Sequence, residues 1–146
     1  MDKIEGLQVY DTNIYHDDRG SLLHILNIKN HPEFIFGECY ASETKYNIIK
    51  AWKRHEKISQ NIVVLSGQIK LVIYDNRIES STYQNFLSFN LSRENYKLVH
   101  IPKNLWYGFK CTSKENAIIV NCIDMPYDSK EVESCNTENF HFKYDW

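Results

Sequence analysis

Residues 61–74 read Asn61-Ile62-Val63-Val64-Leu65-Ser66-Gly67-Gln68-Ile69-Lys70-Leu71-Val72-Ile73-Tyr74, two β-branched runs either side of Ser66-Gly67. β-Branched side chains are stiff at χ1 and fit the pleated surface of a strand better than a helix. Runs this short suit strands, and the glycine-containing turn predicts that the two pair as a hairpin. In the second run Ile69, Leu71 and Ile73 alternate with Gln68, Lys70 and Val72, the period of a sheet with one covered face.

The same grammar runs through the rest of the chain. Residues 21–26 follow a turn at Asp17-Asp18-Arg19-Gly20, and residues 34–41, 46–52 and 83–91 form further candidate strands. Residues 96–101 end at Pro102, residues 108–111 are a short piece, and the apolar run 117–123 belongs in the middle of a sheet. Helical periodicity is scarce, and neither a linker nor a repeat interrupts the pattern. Many short strands in 146 residues predict a single all-β domain spanning 1–146, a sandwich or barrel whose mouth is the natural place for a small ligand.

A net charge of −2 leaves no electrostatic footprint for nucleic acid. No apolar run approaches the ~20 residues that span a bilayer, so no membrane partner is expected. The opening Met1-Asp2-Lys3-Ile4-Glu5 is charged and lacks the apolar core of a signal peptide, which makes the cytoplasm the expected location. Cys39, Cys111, Cys122 and Cys135 form neither a Cys-x-x-Cys pair nor a zinc spacing. Cys39, Cys111 and Cys122 are expected as small apolar strand residues in a reducing compartment, with a redox role as the alternative.

Chemistry concentrates in two segments. The first is Ile48-Ile49-Lys50-Ala51-Trp52-Lys53-Arg54-His55, followed by Gln60; the second is Ile101-Pro102-Lys103-Asn104-Leu105-Trp106-Tyr107-Gly108-Phe109. Strand alternation places Lys53 and His55 on one face. Histidine is the side chain whose ordinary charge change falls near neutrality, which makes His55 a candidate base. Lys53 is a candidate oxyanion holder or base, and Tyr107 a candidate proton donor. The competing assignment makes His55 a hydrogen-bonded barrel residue and Lys53 a phosphate or surface contact. Trp52 and Trp106 suit stacking on a sugar or base, or equally an aromatic core.

With these residues in view, the chain resembles the dTDP-4-dehydrorhamnose 3,5-epimerase family of the cupin superfamily. Asp18-Arg19-Gly20 is similar to the family's early Asp-Arg-Gly turn. Asp75-Asn76-Arg77-Ile78-Glu79-Ser80-Ser81-Thr82-Tyr83 is similar to its Asp-x-Arg-x-x-Ser-Pro-Thr-Tyr segment, with Ser81 for Pro. Ile101-Pro102 and Gly108-Phe109 fit Ile-Pro-x-x-x-x-His-Gly-Phe, and Tyr144-Asp145-Trp146 resembles its Asp-Trp end. The resemblance implies a cupin, or double-stranded β-helix jelly-roll, barrel. It also implies a sugar-nucleotide substrate in surface polysaccharide or deoxysugar biosynthesis, and a homodimer with an exchanged N-terminal strand.

The departures from the family lie at its chemical positions. Lys53 stands where the family has its base histidine, and Tyr107 where it has the second histidine. The family's tyrosine falls near Val120 and its base-orienting aspartate near Asn139. The positions of metal-binding cupins hold Lys53, His55, Gln60 and Tyr107, a donor set that predicts no metal and no cofactor. The resemblance implies that Arg19 and Arg77 help bind the diphosphate, with Lys50 in place of the family's Arg before Gly; Trp52, Gln60 and Trp106 are further candidate substrate-binding residues. The alternative for Arg19 and Arg77 is an ion pair with Asp18 or Asp75. The expected function is that of a metal-free sugar-nucleotide epimerase or ketoisomerase acting on a 4-keto-6-deoxy sugar nucleotide. The alternative is a non-catalytic cupin that binds a sugar nucleotide or supports a partner enzyme.

Overall fold

The computed structural model describes residues 3–146; Met1 and Asp2, the start of the charged opening segment, lie outside the described residues. The strands are β1 (Gln8–Asp11), β2 (Ile14–Asp17), β3 (Gly20–Leu23), β4 (Glu38–Thr44), β5 (Ile49–His55) and β6 (Gln60–Ser66). They continue as β7 (Ile69–Tyr74), β8 (Phe86–Leu91), β9 (Lys97–Ile101), β10 (Trp106–Cys111), β11 (Ala117–Ile123) and β12 (Val132–Ser134). Two five-stranded antiparallel sheets form, sheet I in the order β1-β9-β6-β11-β4 and sheet II in the order β12-β5-β10-β7-β8. The β2–β3 ribbon stands apart. No helix among the described residues is long and apolar enough to cross a membrane.

The predicted hairpin over residues 61–74 does not form. β6 pairs with β9 and β11 in sheet I, whereas β7 pairs with β10 and β8 in sheet II. Gly67 adopts φ +69° and carries the chain from one sheet to the other. The turn's polar groups are met by the corner after β10: Gln68 N–H donates to Ser113 Oγ at 2.8 Å, and Thr112 N–H to the Gln68 carbonyl. A hairpin ladder is therefore not needed to satisfy that backbone.

Alternation then builds three apolar layers. Ile62, Val64, Val99, Ile101 and Ile119 from sheet I meet Ile69, Leu71, Ile73 and Cys111 from sheet II inside the barrel. On the outer face of sheet II, Trp52, Val72, Tyr74 and Trp106 are covered by Phe140, Phe142, Tyr144 and Trp146 of the C-terminal segment. On the outer face of sheet I, Val63, Leu98, Val120 and Cys122 are covered by Ile14, Leu23, Ile25, Leu26 and Phe34. Covering both faces of sheet II explains why Val72 and Tyr74, on the face expected to be more mixed, are as buried as Ile73.

One irregularity positions the site. In the β5–β10 ladder Tyr107 opposes Lys53 and Phe109 opposes Lys50, so Ala51 and Trp52 together face only Gly108. This is a β-bulge. It breaks the two-residue period of β5 and leaves Lys50 and Lys53, three residues apart, on the same wall. Gly108 makes the bulge possible, because a Cβ there would collide with the Cβ of Ala51.

Candidate active site

A cavity of about 160 Å³ opens between the two sheets. Sheet II contributes Lys50, Lys53, Tyr107 and Phe109 to its wall; sheet I contributes Tyr40, Ser42, Ile62, Ile119 and Asn121. Behind Tyr107 lies His55, whose ring runs nearly parallel to the phenol at an interplanar angle of 17°. His55 Nδ1 is 2.5 Å from Glu131 Oε1, with side-chain exposures of 5% and 3%. Glu131 Oε2 also accepts the Lys57 N–H at 3.0 Å.

The electrostatics fix the protons. Burial pushes the Glu131 carboxyl up, but the hydrogen bonds from His55, Lys57 and Ile58 outweigh it, and its net pKa lies below the usual value. An ionised carboxylate only accepts, so His55 Nδ1 carries a hydrogen and donates it to Glu131. When the ring is neutral, Nε2 is an acceptor, and the Tyr107 hydroxyl, 3.4 Å away, is placed to donate to it. Burial drives the Tyr107 pKa far up, followed by Coulomb contributions from Tyr40, Glu131 and Tyr127, so the phenol holds its proton. The result is a chain, Glu131–His55–Tyr107, that ends at the cavity.

The opposite wall has its own polar assembly. Asn121 Nδ2 donates to Tyr40 Oη at 3.0 Å and to Gln60 Oε1, while its Oδ1 accepts the Asn61 N–H at 3.0 Å. Both amide hydrogens are thereby directed, and Tyr40 is left free to donate into the cavity. Burial raises the Tyr40 pKa, partly offset by Asn121. Lys53 has no hydrogen bond or ion pair among the described residues, whereas Lys50 Nζ donates to the Glu43 carbonyl at 2.7 Å.

The structure thus brings Lys53, His55 and Tyr107 together and adds Lys50 to the same wall. Gln60 is buried in sheet I, on the opposite side, where its Oε1 accepts from Asn121 and its Nε2 has no partner among the described residues. Four positions expected to meet substrate do not line this cavity. Trp52 stacks on Phe140 at 4.5 Å and is 1% exposed, and Trp106 packs edge-on against the same ring, so both belong to the outer aromatic layer. Ordinary strand alternation is the cause: Lys53 and Tyr107 face inward, so their chain neighbours Trp52 and Trp106 face outward, and the bulge acts on Lys50, which it brings to the inner wall. Arg77 is spent on Asp75 and on the Glu5 carbonyl. Arg19 pairs with Asp17, not Asp18, on the exposed β2–β3 turn.

Two positions inferred by alignment also move. Val120 faces the outer layer of sheet I while its neighbour Asn121 faces the cavity, and the orienting carboxylate is Glu131 rather than residue 139. Tyr40, Asn121 and Glu131 were not foreseen. Asn121 carried a signal, being the one polar residue in the run 117–123. Tyr40 is one of ten tyrosines, and Glu131 sits in a polar segment with no local pattern. A second hollow of about 240 Å³ lies outside sheet I between Tyr10, His31, Asn61, His100 and Asp124. His31 is buried there.

Two facing antiparallel sheets with a polar site between them define a cupin-type jelly-roll barrel. The family model described as dTDP-4-dehydrorhamnose 3,5-epimerase matches residues 1–146, and the chain belongs to that family. A dTDP sugar isomerase from Desulfovibrio desulfuricans G20 superposes with a TM-score of 0.89 at 36% identity, over 93% of this chain and 87% of that one. The "Probable low-salt glycan biosynthesis epimerase Agl13" of Haloferax volcanii is 29% identical over 133 residues, 90% of this chain and 85% of the relative. The Legionella pneumophila 3,5-epimerase in complex with dTDP-4-keto-L-rhamnose shares the fold, with a TM-score of 0.87 at 22% identity over 99% of this chain and 80% of that one.

Proposed function

We propose that this protein is a sugar-nucleotide epimerase or ketoisomerase that moves a proton beside the ketone of a 4-keto-6-deoxy sugar nucleotide. The observation that carries the proposal is the Glu131–His55–Tyr107 chain ending beside Lys53 at the interior cavity. A volume of about 160 Å³ is below the ~300–1,000 Å³ of pockets for drug-sized ligands. It suits one sugar ring, with the diphosphate and base outside the mouth near Lys50.

Removing a proton α to a ketone needs a base, an acid on the other side of the carbon, and a partner for the enolate oxygen. Tyr107 takes the carbon-bound proton as it passes its own to His55 Nε2. Glu131 stabilises the imidazolium that results, as a buried carboxylate does for a histidine base. The Lys53 ammonium holds the developing enolate oxygen. Tyr40, on the opposite wall and oriented by Asn121, returns a proton to the other face.

Proton NMR in deuterium oxide tests this with a panel of 4-keto-6-deoxy sugar nucleotides. Deuterium should enter at the carbons flanking the ketone. Tight nucleotide-sugar binding by calorimetry with no exchange across the panel would instead favour the binding-only alternative.

A cytoplasmic homodimer fits the same proposal. Tyr15, Leu22, Ile28, Ile35 and Phe36 are exposed on and after the β2–β3 ribbon, an apolar surface that a second copy would cover. Light scattering at the mass of one chain would sink the dimer.

A further inference from the structure

Cys39 on β4 and Cys122 on β11 are direct register partners, and their sulfurs stand 3.2 Å apart. Opposed residues of an antiparallel pair have Cα atoms ~4.5–5.5 Å apart, inside the ~4.4–6.8 Å range that a disulfide spans. β4 is the edge strand of sheet I, and its Cys39 is exposed. Cys122 lies among Val63, Leu98 and Val120. The next register pair, Tyr40 opposite Asn121, points the other way and lines the cavity.

We propose that Cys39 and Cys122 form a reversible dithiol–disulfide pair, oxidised by low-molecular-weight disulfides such as oxidised glutathione, that locks β4 to β11 beside the active cavity. Access sets the order of events. Burial first, then the neighbouring Cys39, pushes the Cys122 thiol up to about 12, so it is not the first attacker. The Cys39 thiolate attacks one sulfur of oxidised glutathione, forms a mixed disulfide and expels one glutathione thiolate. Cys122 then attacks Cys39 Sγ, gives up its proton to solvent and expels the second glutathione. Two S–H bonds become one protein S–S bond, and the reagent disulfide is reduced to two thiols, a balanced two-electron exchange. Cys111 is fully buried and Cys135 lies on the outer face of sheet II, so both serve as internal controls.

The test treats the reduced full-length chain with oxidised glutathione, blocks free thiols with N-ethylmaleimide and maps tryptic peptides without reduction. The expected product joins peptide 30–45 to peptide 115–130, is two hydrogens lighter than their sum, and is released by dithiothreitol. The wild type should gain thermal stability on oxidation and lose the gain on reduction, and Cys39→Ser should show neither change. Cys122→Ala should instead accumulate the mixed disulfide between Cys39 and glutathione. The proposal is overturned by a stable Cys39 mixed disulfide in the wild type with Cys122 still alkylated, by a cross-link to Cys111 or Cys135, or by no oxidation at all.

Discussion

Replacing Glu131 with alanine removes the one acceptor that serves His55 Nδ1 and the Lys57 amide. Both members of the pair are buried, so water does not compensate the groups left behind. A buried donor stripped of its partner costs ~1–3 kcal/mol, and breaking a buried pair ~3–5 kcal/mol. The substitution should therefore cost about 4 kcal/mol, or roughly 10 °C in Tm for a chain of this size. Urea titration at neutral pH measures it. The effect also has a sign in pH. The folded-state pKa of Glu131 is lowered, so its contribution is complete above the unfolded-state pKa and fades as pH falls through the folded value. The gap between wild type and variant should narrow in acid. Glu131→Gln keeps an acceptor and should lose less stability, yet it should slow deuterium exchange at the substrate because the imidazolium loses its counter-charge. A Glu131→Ala protein within 1 kcal/mol of wild type at neutral pH, or a gap that widens in acid, would refute this account.

Lys53→Met should retain the fold and lower the exchange rate by about 100-fold or more, the usual cost of removing an oxyanion partner; near-normal turnover would take Lys53 out of the chemistry. Trp52→Ala should cost ~3–5 kcal/mol of stability while leaving KM for the sugar nucleotide unchanged in the folded fraction, because the ring sits in the outer aromatic layer. Asp75 is fully buried and accepts bonds from Arg77, Ser80 and Thr82, which outweigh the opposing effect of burial and depress its pKa strongly. Asp75→Asn should destabilise by about 3 kcal/mol without altering KM, and the difference from wild type should shrink only at strongly acid pH; a KM rise would return Arg77 to the substrate.

The strands were legible where the signal is local. The run 117–123 is β11 residue for residue, and Pro102 does follow the end of β9. Partnership was less legible, because the turn at Gly67 looks the same in sequence whether the chain folds back on itself or crosses to a facing sheet. Lys53, His55 and Tyr107 were found together because two of them share a strand face and the third is their ladder neighbour. Trp52 and Trp106 were misplaced against that same alternation, which turns the neighbours of Lys53 and Tyr107 outward, whereas the inward turn of Lys50 depends on the bulge. A bulge is set by what the opposing strand lacks, and no window along β5 contains Gly108. Glu131 reaches His55 across 76 positions. Such a contact leaves no periodicity to detect.

The crowding between Ala51 and Gly108 ties two distant positions into one evolutionary unit. Either site can enlarge only if the other gives up volume or the backbones part. Parting them would undo the offset that aims both lysines inward, so drift at 51 and 108 should be reciprocal. Across homologues, a bulkier residue at 51 should keep glycine at 108, and any side chain at 108 should appear with glycine at 51.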